Sequence, residues 1–477
     1  MGKDFKNINI SSDLLRSVEN LGFTEMTAIQ EKVIIPAMEG RNILGSSSTG
    51  SGKTLAFLMP VLERTSWEDM KASLMVLAPS RELALQIRDD YDTLGRYKKL
   101  KAVALYGKHP FKEEEASLKN RHHAICGTPG RVLDHIKRGT LDTSAIRFLV
   151  IDEVDELISR GFRDDVLAIA RSLKSVRQTL MFSATIGEEV RGIASELLDD
   201  YIVIESEDEG KLNIEVEHFK VENKDKFKAL LSLIYGRKPR SMIIFVNTKD
   251  ECGRLKDDLE KKNIDCLKIH GGMLQEDRLK AMEAFKARQV PYLVATDVAA
   301  RGIDVRDLDI SLSYDFPVEK ESYVHRMGRT GRNYREGSAI YFIAEHDGKN
   351  VRDVENFIGR SLGEIQEMNY GPLRTGKDSF REFQKELRKN RPKKTSVHKD
   401  ITKIYINGGK KKKIRPMDIA GTLHSIPGIE PEDIGIIDVQ ENGSYIDILN
   451  GKGDIAIQGL SESKIKGKEL RVEKARK

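Results

Sequence analysis

A loop of small residues near position 50 has the composition needed to hold phosphate. Residues 47–54 read SSTGSGKT and follow a short apolar run at 43–44. Small side chains let backbone N–H groups close around phosphate oxygens, and the amino end of the next helix favours negative charge. Lys53 is predicted to contact the outer phosphates and Thr54 to hold Mg²⁺. A flexible serine–glycine loop is the alternative, which the Gly-Lys-Thr ending disfavours. The residues predicted to line the phosphates are Ser48, Thr49, Gly50, Ser51 and Gly52.

Two carboxylates follow an apolar run further along the chain. The run at 148–151 ends in Asp152 and Glu153. Asp152 is placed to bind the metal through water, and Glu153 to polarise the attacking water in a phosphoryl transfer. An acidic helix start is the alternative for this pair alone. Together with the phosphate loop, the pair indicates catalysis.

A third motif is rich in arginine. Residues 325–332 read HRMGRTGR, with three arginines between glycines. Arginine binds phosphate oxygens with two parallel hydrogen bonds and stabilises the charge that develops during transfer. A basic surface loop is the alternative. Because the motif lies far from the phosphate loop, we expect these arginines to reach a nucleotide across a cleft.

The elements that position these residues alternate between short apolar runs and amphipathic stretches such as 81–94. This alternation is typical of a parallel sheet covered by helices on both faces. An acidic stretch at 205–211 interrupts it, so the pattern predicts two α/β domains joined near residues 206–213. The apolar runs are 74–78, 102–105, 124–126, 148–151 and 179–182 in the first domain, and 242–246, 266–269, 292–295, 310–314 and 339–343 in the second.

Polar and glycine residues directly follow most of these runs. Ser80, Thr128 and Asp152 do so in the first domain, and Gly271 and Thr296 in the second. In open α/β sheets the ligand crevice lies beyond the carboxyl ends of the strands. Ordinary turn chemistry explains polar and glycine residues at any one of these strand ends, but the number of such strand ends predicts a site shared by two sheets.

Bulk properties restrict the class of protein. The 477 residues are 39% hydrophobic and 32% charged, which is typical of globular domains. No apolar run approaches the ~20 residues of a membrane span. The three cysteines have no paired spacing, which disfavours disulfides and zinc and favours a cytoplasmic location. Net charge is only +5, yet residues 381–415 hold 14 Lys or Arg against 3 Asp or Glu. That segment favours a polyanion, with a solvated linker as the alternative.

Together the motifs resemble those of the DEAD-box ATP-dependent RNA helicases over residues 5–345. The resemblance implies two tandem RecA-like domains that use ATP and Mg²⁺ to open RNA duplexes locally. Residues 22–30 resemble the family's Q motif, in which Gln30 would pair with adenine and Phe5 would stack on it. Phe23 belongs to the same predicted nucleotide site, and Asp304 is expected at the ribose.

The resemblance also assigns roles to other motif residues. Arg329 and Arg332 would be the fingers on the phosphates. Asp155, Ser183, Thr185 and His325 would couple hydrolysis to strand separation. Ser47, Met26, Ser80, Val154 and Lys108 depart from the family's usual residues without removing a catalytic group. The residues expected to contact RNA in the core are Ser80, Arg81, Gly107, Thr128, Gly130, Arg131, Gln275, Arg278 and Thr296.

Apolar alternation returns after residue 401. Strands at 403–407, 434–439, 445–449 and 469–472, with helices at 416–425 and 454–460, follow the βαββαβ order of an RNA-recognition module. Runs at 407–413 and 448–453 resemble the C-terminal domain of the DbpA subgroup, which implies a hairpin of 23S ribosomal RNA as target. A generic basic platform is the alternative. Lys410, Lys411, Lys412, Lys413 and Tyr405 are the candidate contacts.

The domain prediction is therefore 1–205 and 214–368 for the helicase domains, 369–400 for a basic linker, and 401–477 for a small α+β module. The leading hypothesis is an RNA-stimulated ATPase that acts on large-subunit ribosomal RNA and the pre-50S particle as a monomer. Alternatives are an ATP-gated RNA clamp, a general RNA chaperone and a DNA helicase. The Q motif and the tail disfavour the last.

Overall fold

The computed structural model describes residues 4–47, 51–205, 214–300, 308–330, 337–389 and 400–475, apart from the side chains at 298 and 300. Within these residues the chain forms two seven-stranded sheets and one four-stranded sheet. Helices cover both of the larger sheets. The predicted fold class, two α/β domains followed by a small α+β domain, is confirmed.

The first domain is a parallel sheet of strand order β3-β4-β2-β5-β6-β1-β7. The central strands are buried at every position because helices cover both faces, which explains their uninterrupted apolar runs. The strands are β1 (Asn42–Ser46), β2 (Leu74–Leu77), β3 (Ala102–Leu105), β4 (Ala124–Gly127), β5 (Phe148–Ile151), β6 (Gln178–Ser183) and β7 (Tyr201–Glu205). The helices are α1 (Ser12–Asn20), α2 (Ala28–Met38), α3 (Lys53–Glu63), α4 (Arg81–Leu94), α5 (Phe111–Leu118), α6 (Pro129–Lys137), α7 (Val154–Ser159), α8 (Arg163–Ser172) and α9 (Glu188–Leu197).

This strand order divides the carboxyl edge of the first sheet into two halves. Strands β5, β6 and β1 are neighbours, so the exits that carry the carboxylates, the Ser183 motif and the phosphate loop lie side by side. Strands β2, β4 and β3 form the other half, and the predicted RNA contacts follow them. The sheet order thus places nucleotide chemistry and RNA contact next to each other on one edge.

The second domain repeats the architecture with the parallel order β10-β11-β9-β12-β13-β8-β14. Its strands are β8 (Ile214–Lys220), β9 (Met242–Val246), β10 (Cys266–Ile269), β11 (Tyr292–Thr296), β12 (Ile310–Ser313), β13 (Gly337–Ile343) and β14 (Ile365–Glu367). Its helices are α10 (Lys226–Arg237), α11 (Lys249–Lys261), α12 (Gln275–Lys286), α13 (Asp297–Ala300), α14 (Lys320–Met327), α15 (Gly348–Ile358), α16 (Pro372–Thr375) and α17 (Lys377–Lys389).

Three strands have no counterpart among the predicted apolar runs. Strand β14 is exposed at all three positions, and β7 and β8 are only partly buried. They lie at one end of their sheets, where solvent replaces the second layer of helices. Hydrophobic runs therefore do not mark them.

Part of the predicted basic linker is helical and packed, which corrects that prediction. Helices α16 and α17 contact α10 of the second domain. Phe380 is 2% exposed and lies in the domain core, with its ring centroid 5.3 Å from that of Tyr235. The many charged residues of this segment obscured the one apolar face of its helix, on which Phe380 lies. The remaining linker residues, 390–399, and the interdomain linker at 206–213 lie outside the described residues.

The tail forms an antiparallel sheet of order β16-β17-β15-β18, with two helices on one face. The predicted βαββαβ order is present, although the last strand begins three residues later than predicted. That strand pairs with β15 alone, so little burial marks it. The elements are β15 (Thr402–Ile406), α18 (Pro416–His424), β16 (Ile434–Val439), β17 (Ser444–Ile448), α19 (Gly453–Glu462) and β18 (Val472–Lys474).

The cysteines belong to the packing of the two helicase domains. Cys126, Cys252 and Cys266 are buried and unpaired, and burial raises the pKa of the Cys126 thiol. Cys126 therefore fills the core of the first domain. Among the described residues, no helix has the length and apolarity to cross a membrane.

Phe380→Ala should detach α17 from the second domain. Loss of a buried aromatic ring costs about 3–5 kcal/mol, so urea unfolding should show that decrease, and amide exchange at 377–389 should accelerate. Lys385→Ala, on the exposed side of the same helix, is the control and should change neither. Wild-type exchange in Phe380→Ala would contradict the packing.

Candidate nucleotide and RNA site

The phosphate loop joins β1 to α3 through a glycine in the left-handed region. Gly52 has φ of 96°, and a Cβ atom there would collide with the amide of Gln30. Both facts require glycine at this position. Lys53 is 6% exposed, and its ammonium donates to the carbonyl of Ser47 at 2.8 Å. Thr54 lies in the first turn of α3. The predicted phosphate contacts Ser48, Thr49 and Gly50 lie outside the described residues.

The predicted adenine-binding segment is tied to this loop. The Thr27 hydroxyl donates to the Ser51 carbonyl at 2.6 Å, and the Gln30 amide donates to the Gly52 carbonyl at 3.2 Å. Thr27 and Gln30 also form the capping box of α2. The capping role and the nucleotide role of this segment are therefore compatible, and a base bound at Gln30 would act directly on the phosphate loop.

The aromatic residues predicted at the base are differently placed. Phe5 is 1% exposed and belongs to the core of the first domain, and Phe23 packs partly buried against the same core. Stacking of Phe5 on adenine would require its ring to leave that core. The spacing from the Q motif gave no sign of this burial.

The two carboxylates lie at the end of β5. Asp152 is 4% exposed, and its Oδ1 accepts a hydrogen bond from the Glu153 amide at 3.0 Å. Glu153 has φ of 52°, a strained conformation that is common at functional sites. Burial raises the pKa of Glu153 to about 7, the Asp152 charge adds to this rise, and the cations of Arg329 and Lys53 oppose it. Burial likewise raises the pKa of Asp152, against the charge of Lys53.

The same carboxyl groups identify a cleft between the domains. Arg329, from the second domain, is close enough to act on the charge of Glu153 in the first. Lys53, Asp152, Glu153 and Arg329 therefore lie in one cleft between the two domains. Their action on a nucleotide stays a prediction. Arg332 and Asp304 lie outside the described residues. Thr296 ends β11, and His325 lies in α14.

The donor set of this cleft fits a magnesium ion held mainly by phosphate and water. A buried carboxylate at Asp152 and a hydroxyl at Thr54 are hard oxygen ligands of the kind Mg²⁺ uses at nucleotide sites. No cluster of three or more His, Cys, Asp or Glu side chains able to hold a metal occurs among the described residues. The phosphates of a nucleotide and water would supply the remaining ligands.

The predicted coupling residues are tied to the phosphate loop. The Ser183 hydroxyl donates to the Thr185 carbonyl at 2.6 Å, and the Ser46 hydroxyl donates to the Ala184 carbonyl at 3.2 Å. The Ser47 amide donates to the Ser183 carbonyl at 3.3 Å. A displacement of the phosphate loop would therefore move this motif. Asp155 accepts from the Glu156 amide at 3.1 Å in the first turn of α7.

Arg326 is a buried anchor that was not among the predicted site residues. It is 1% exposed and donates to both Asp297 oxygens at 2.7 and 2.6 Å. It also donates to the Asp315 carbonyl at 2.6 Å and to the Asn247 amide oxygen at 3.1 Å. Arg326 therefore fixes the arginine motif to the exits of three strands. The sequence did not distinguish it from Arg329 and Arg332, because all three arginines lie in the same glycine-containing motif.

A groove of about 1190 Å³ crosses both helicase domains at the RNA half of the edge. Three hydrogen bonds or ion pairs cross it: Arg81 to Gln275 at 3.2 Å, Gln275 to Glu82 at 2.9 Å, and Arg278 to Glu82 at 3.0 Å. Glu82 is buried and is the shared acceptor. Predicted RNA contacts that line the groove are Ser80, Arg81, Gly107, Thr128, Gly130, Arg131, Gln275 and Arg278.

Arg131 has a structural role in the wall of this groove. Its guanidinium donates to the carbonyls of Tyr106 and His109 and lies 3.2 Å from the buried carboxylate of Glu114. Glu114 also accepts from the Tyr106 amide at 3.0 Å and lies 2.9 Å from the His135 ring. Arg131 and Glu114 thus shape the loop that carries Gly107.

The tail presents a basic cluster, defined as Lys410–Lys413, Arg415, Lys466 and Lys468. Residues Lys410–Lys412 form a single helical turn and are fully exposed. Two lysines from the last loop join them, because Lys466 donates to the Lys413 carbonyl at 2.7 Å and Lys468 to the Lys412 carbonyl at 2.6 Å. Lys466 and Lys468 were not among the predicted contacts, since more than fifty residues separate them from the first run. Tyr405 lies apart, on the open face of the sheet.

The comparisons with known proteins agree with this geometry. The chain matches the DEAD/DEAH box helicase family at 27–193, the helicase conserved C-terminal domain at 225–334 and the DbpA RNA binding domain at 403–474. It is 42% identical to the ATP-dependent RNA helicase DbpA of Bacillus subtilis, over 99% of both chains.

The chain belongs to the DEAD-box RNA helicases.

Two further relatives are less similar to this chain. The DEAD-box RNA helicase CshA of Bacillus cereus is 35% identical over 75% of this chain and 69% of its own. The structure of Dbp5 from S. cerevisiae bound to RNA and ADP BeF3 is similar with a TM-score of 0.69 and 28% identity, covering 80% of this chain and 99% of that one. The chain is therefore an ATP-dependent RNA helicase with a DbpA-type RNA-binding domain.

Arg326→Met should destabilise the second helicase domain. It leaves Asp297 and Asn247 without their partner, and removal of one member of a buried ion pair costs about 3–5 kcal/mol. Urea unfolding should show the loss, and ATP turnover should fall because Arg329 is no longer held. Arg326→Lys keeps the charge without the planar fork and should recover part of the stability. Wild-type unfolding of Arg326→Met would contradict the anchoring role.

Proposed function

We propose that this helicase acts on 23S ribosomal RNA, with the tail holding a hairpin while the core opens an adjacent duplex. The observation that carries the proposal is the basic cluster on a domain of the DbpA type. Seven cations on one small domain favour a folded polyanion. By contrast, the core groove is lined by backbone and by groups suited to phosphate and sugar, which give affinity without sequence choice.

In the proposed cycle, ATP closes the cleft between the helicase domains. Gln30 would bind the base. Its hydrogen bond to the Gly52 carbonyl would link base binding to the conformation of the phosphate loop. Lys53 and Arg329 would neutralise the charge on the phosphates, and Glu153 would orient the attacking water. A magnesium ion, held through Thr54 and Asp152, would supply further charge neutralisation. Closure would tighten the groove on one RNA strand.

The cellular setting follows from this target. A helicase that addresses 23S ribosomal RNA would act on the pre-50S particle during assembly of the large subunit, in the cytoplasm and as a monomer. Sucrose-gradient sedimentation of ribosomal particles from cells that lack the protein tests this setting. Unchanged precursor particles would argue against it.

Lys53→Ala and Glu153→Gln should distinguish ATP binding from ATP hydrolysis. Loss of a charge-stabilising donor or a water-orienting base lowers turnover by about 100-fold or more. Glu153→Gln should keep ATP affinity, because its side chain acts on water, whereas Lys53→Ala should lose it. RNA-stimulated phosphate release and fluorescent-nucleotide binding measure both effects. Lys71→Ala, on an exposed lysine outside the cleft, should match the wild type.

Replacing the four lysines of 410–413 by glutamine should weaken hairpin binding and flatten its salt dependence. Each lysine–phosphate pair that is removed reduces the slope of log affinity against log salt by about 0.7–0.9, so up to about three units are at stake. Turnover stimulated by unstructured RNA should stay unchanged, because the core groove is intact. Titration of a ribosomal hairpin at several salt concentrations measures the slope.

A matched control removes four exposed lysines of the second domain, Lys220, Lys224, Lys262 and Lys385. It changes the net charge equally and should leave the slope as in the wild type. If both variants reduce the slope alike, the tail is a generic basic platform and the ribosomal assignment fails.

An ATP-gated RNA clamp without strand separation is the second candidate function, because the contacts of Glu82 with Gln275 and Arg278 already join the two domains across the groove. Strand separation of a short duplex beside a hairpin distinguishes the two. A clamp would hold the RNA while ATP is present without releasing the displaced strand.

A further inference from the structure

The tail sheet has a face that its own helices leave open. The isoleucines of β15 and β17 are buried against α18 and α19. Because successive side chains of a strand point to opposite faces, Tyr405 and Tyr445 lie on the other side. They form a cross-strand pair with ring centroids 5.3 Å apart. RNA-recognition modules stack bases on aromatic residues of this face.

Carboxylates surround these two rings. Asp438 pairs with Tyr445 across the strands, Glu473 pairs with Tyr405, and Asp447 pairs with Lys403. Directly opposed residues share a face, so three negative charges stand beside two positive charges, Lys403 and Arg471, the latter 2.6 Å from Glu473. We call Asp438, Asp447 and Glu473, with the two tyrosines, the acidic face. Its excess of carboxylates disfavours phosphate.

The acidic face contacts the first helicase domain. Lys101 Nζ lies 3.4 Å from Asp438 Oδ1, and Arg96 Nε lies 3.8 Å from Asp447 Oδ2. Asp447 is 3% exposed. A carboxylate so far removed from water needs a nearby cation, and Arg96 and Lys403 are the cations near it. The two domains therefore meet with complementary charge.

A further contact lies where the chain enters the tail. Asp400 accepts from Arg16 Nη2 at 2.6 Å and from the Tyr97 hydroxyl at 2.9 and 3.0 Å. The Arg16 guanidinium stacks on the Tyr97 ring at 4.3 Å. Burial together with the Asp400 charge raises the pKa of Tyr97 to about 12, so its hydroxyl stays a donor at physiological pH. We call Arg16, Arg96, Tyr97 and Lys101 the basic seat.

The basic seat lies on the opposite edge of the first sheet from the nucleotide and RNA site. Lys101 immediately precedes β3, and Arg96 and Tyr97 follow α4. Asn120, which precedes β4, accepts from Lys410 of the basic cluster at 3.1 Å. The tail therefore contacts the amino edge of the sheet, whereas ligands bind at the carboxyl edge. A docked tail leaves both sites open.

We propose that the acidic face of the tail is a docking surface for the basic seat of the first helicase domain. In this arrangement the sheet face binds protein, and the basic cluster beside Asn120 is left for RNA. Strands β3 and β4 have four residues each, a length of about 13 Å. The docked tail thus holds RNA about one strand length from the groove, a consequence that rests on the proposed function.

Carbodiimide coupling in the full chain tests the docking directly. The reagent joins an ammonium to a carboxylate in contact, with loss of water, so a Lys101–Asp438 amide should be found by peptide mass spectrometry. Lys71 and Asp142, 2.8 Å apart within the first domain, are the internal control. A mixture of ¹⁵N-labelled and unlabelled chains shows whether the link is intramolecular.

Charge exchange sharpens the test. Lys101→Asp removes the amine and places like charges together, so the 101–438 link should be lost entirely, while the Lys71–Asp142 link persists. Adding Asp438→Lys recreates the pair in reverse and should restore the 101–438 link. Absence of the link in the wild type, with the control link present, would overturn the proposal. So would failure of the exchanged pair to restore it.

Turnover measurements test the consequence separately. Lys101→Asp should raise the RNA concentration for half-maximal, hairpin-stimulated turnover several-fold without changing stimulation by unstructured RNA, because undocking lowers the effective concentration of the held RNA at the groove. The exchanged pair should recover it. If hairpins never stimulate better than unstructured RNA, the ribosomal target is wrong, whereas the cross-link still decides the docking.

Discussion

The function of this protein depends on one constraint of parallel sheets, which is that all strands present their carboxyl ends at the same edge. In the first domain the order β3-β4-β2-β5-β6-β1-β7 divides that edge. One half carries the phosphate loop, Asp152 and Ser183, and the other carries the predicted RNA contacts. No device is needed to bring the two chemistries together, since the backbone already makes them neighbours. The second domain supplies the same edge from across a cleft.

Buried charged side chains make the electrostatic balance of the cleft sensitive to a bound phosphate. Asp152 and Glu153 are raised in pKa by burial, and the cations that oppose this rise come from both domains, Lys53 from the first and Arg329 from the second. A phosphate that enters between them changes the electrostatic balance on both sides at once. On the RNA half, Glu82 of the first domain contacts Gln275 and Arg278 of the second. Charged side chains from both domains therefore meet on each half of the cleft.

The tail could be predicted from the sequence only in part. Its strands could be predicted, because strands with one buried face alternate apolar and polar residues with a period of two. The basic cluster could be predicted only in part, since Lys466 and Lys468 are distant from it in sequence and join it in the fold. The acidic face could not be predicted from the sequence. Asp438 and Asp447 look like ordinary surface residues until strand pairing places them side by side and opposite a basic seat.

By itself, the sequence determined the fold class and predicted the catalytic residues, because the phosphate loop, the carboxylate pair and the arginine motif each need fixed residue types at short spacing. Tertiary structure decided the properties that arise from residues far apart in the chain. It buried Phe5 in the core, made Arg326 an anchor through Asp297, and packed Phe380 on the second domain. It also set the tail against the first domain. Burial and long-range partners are three-dimensional quantities, and local sequence patterns do not encode them.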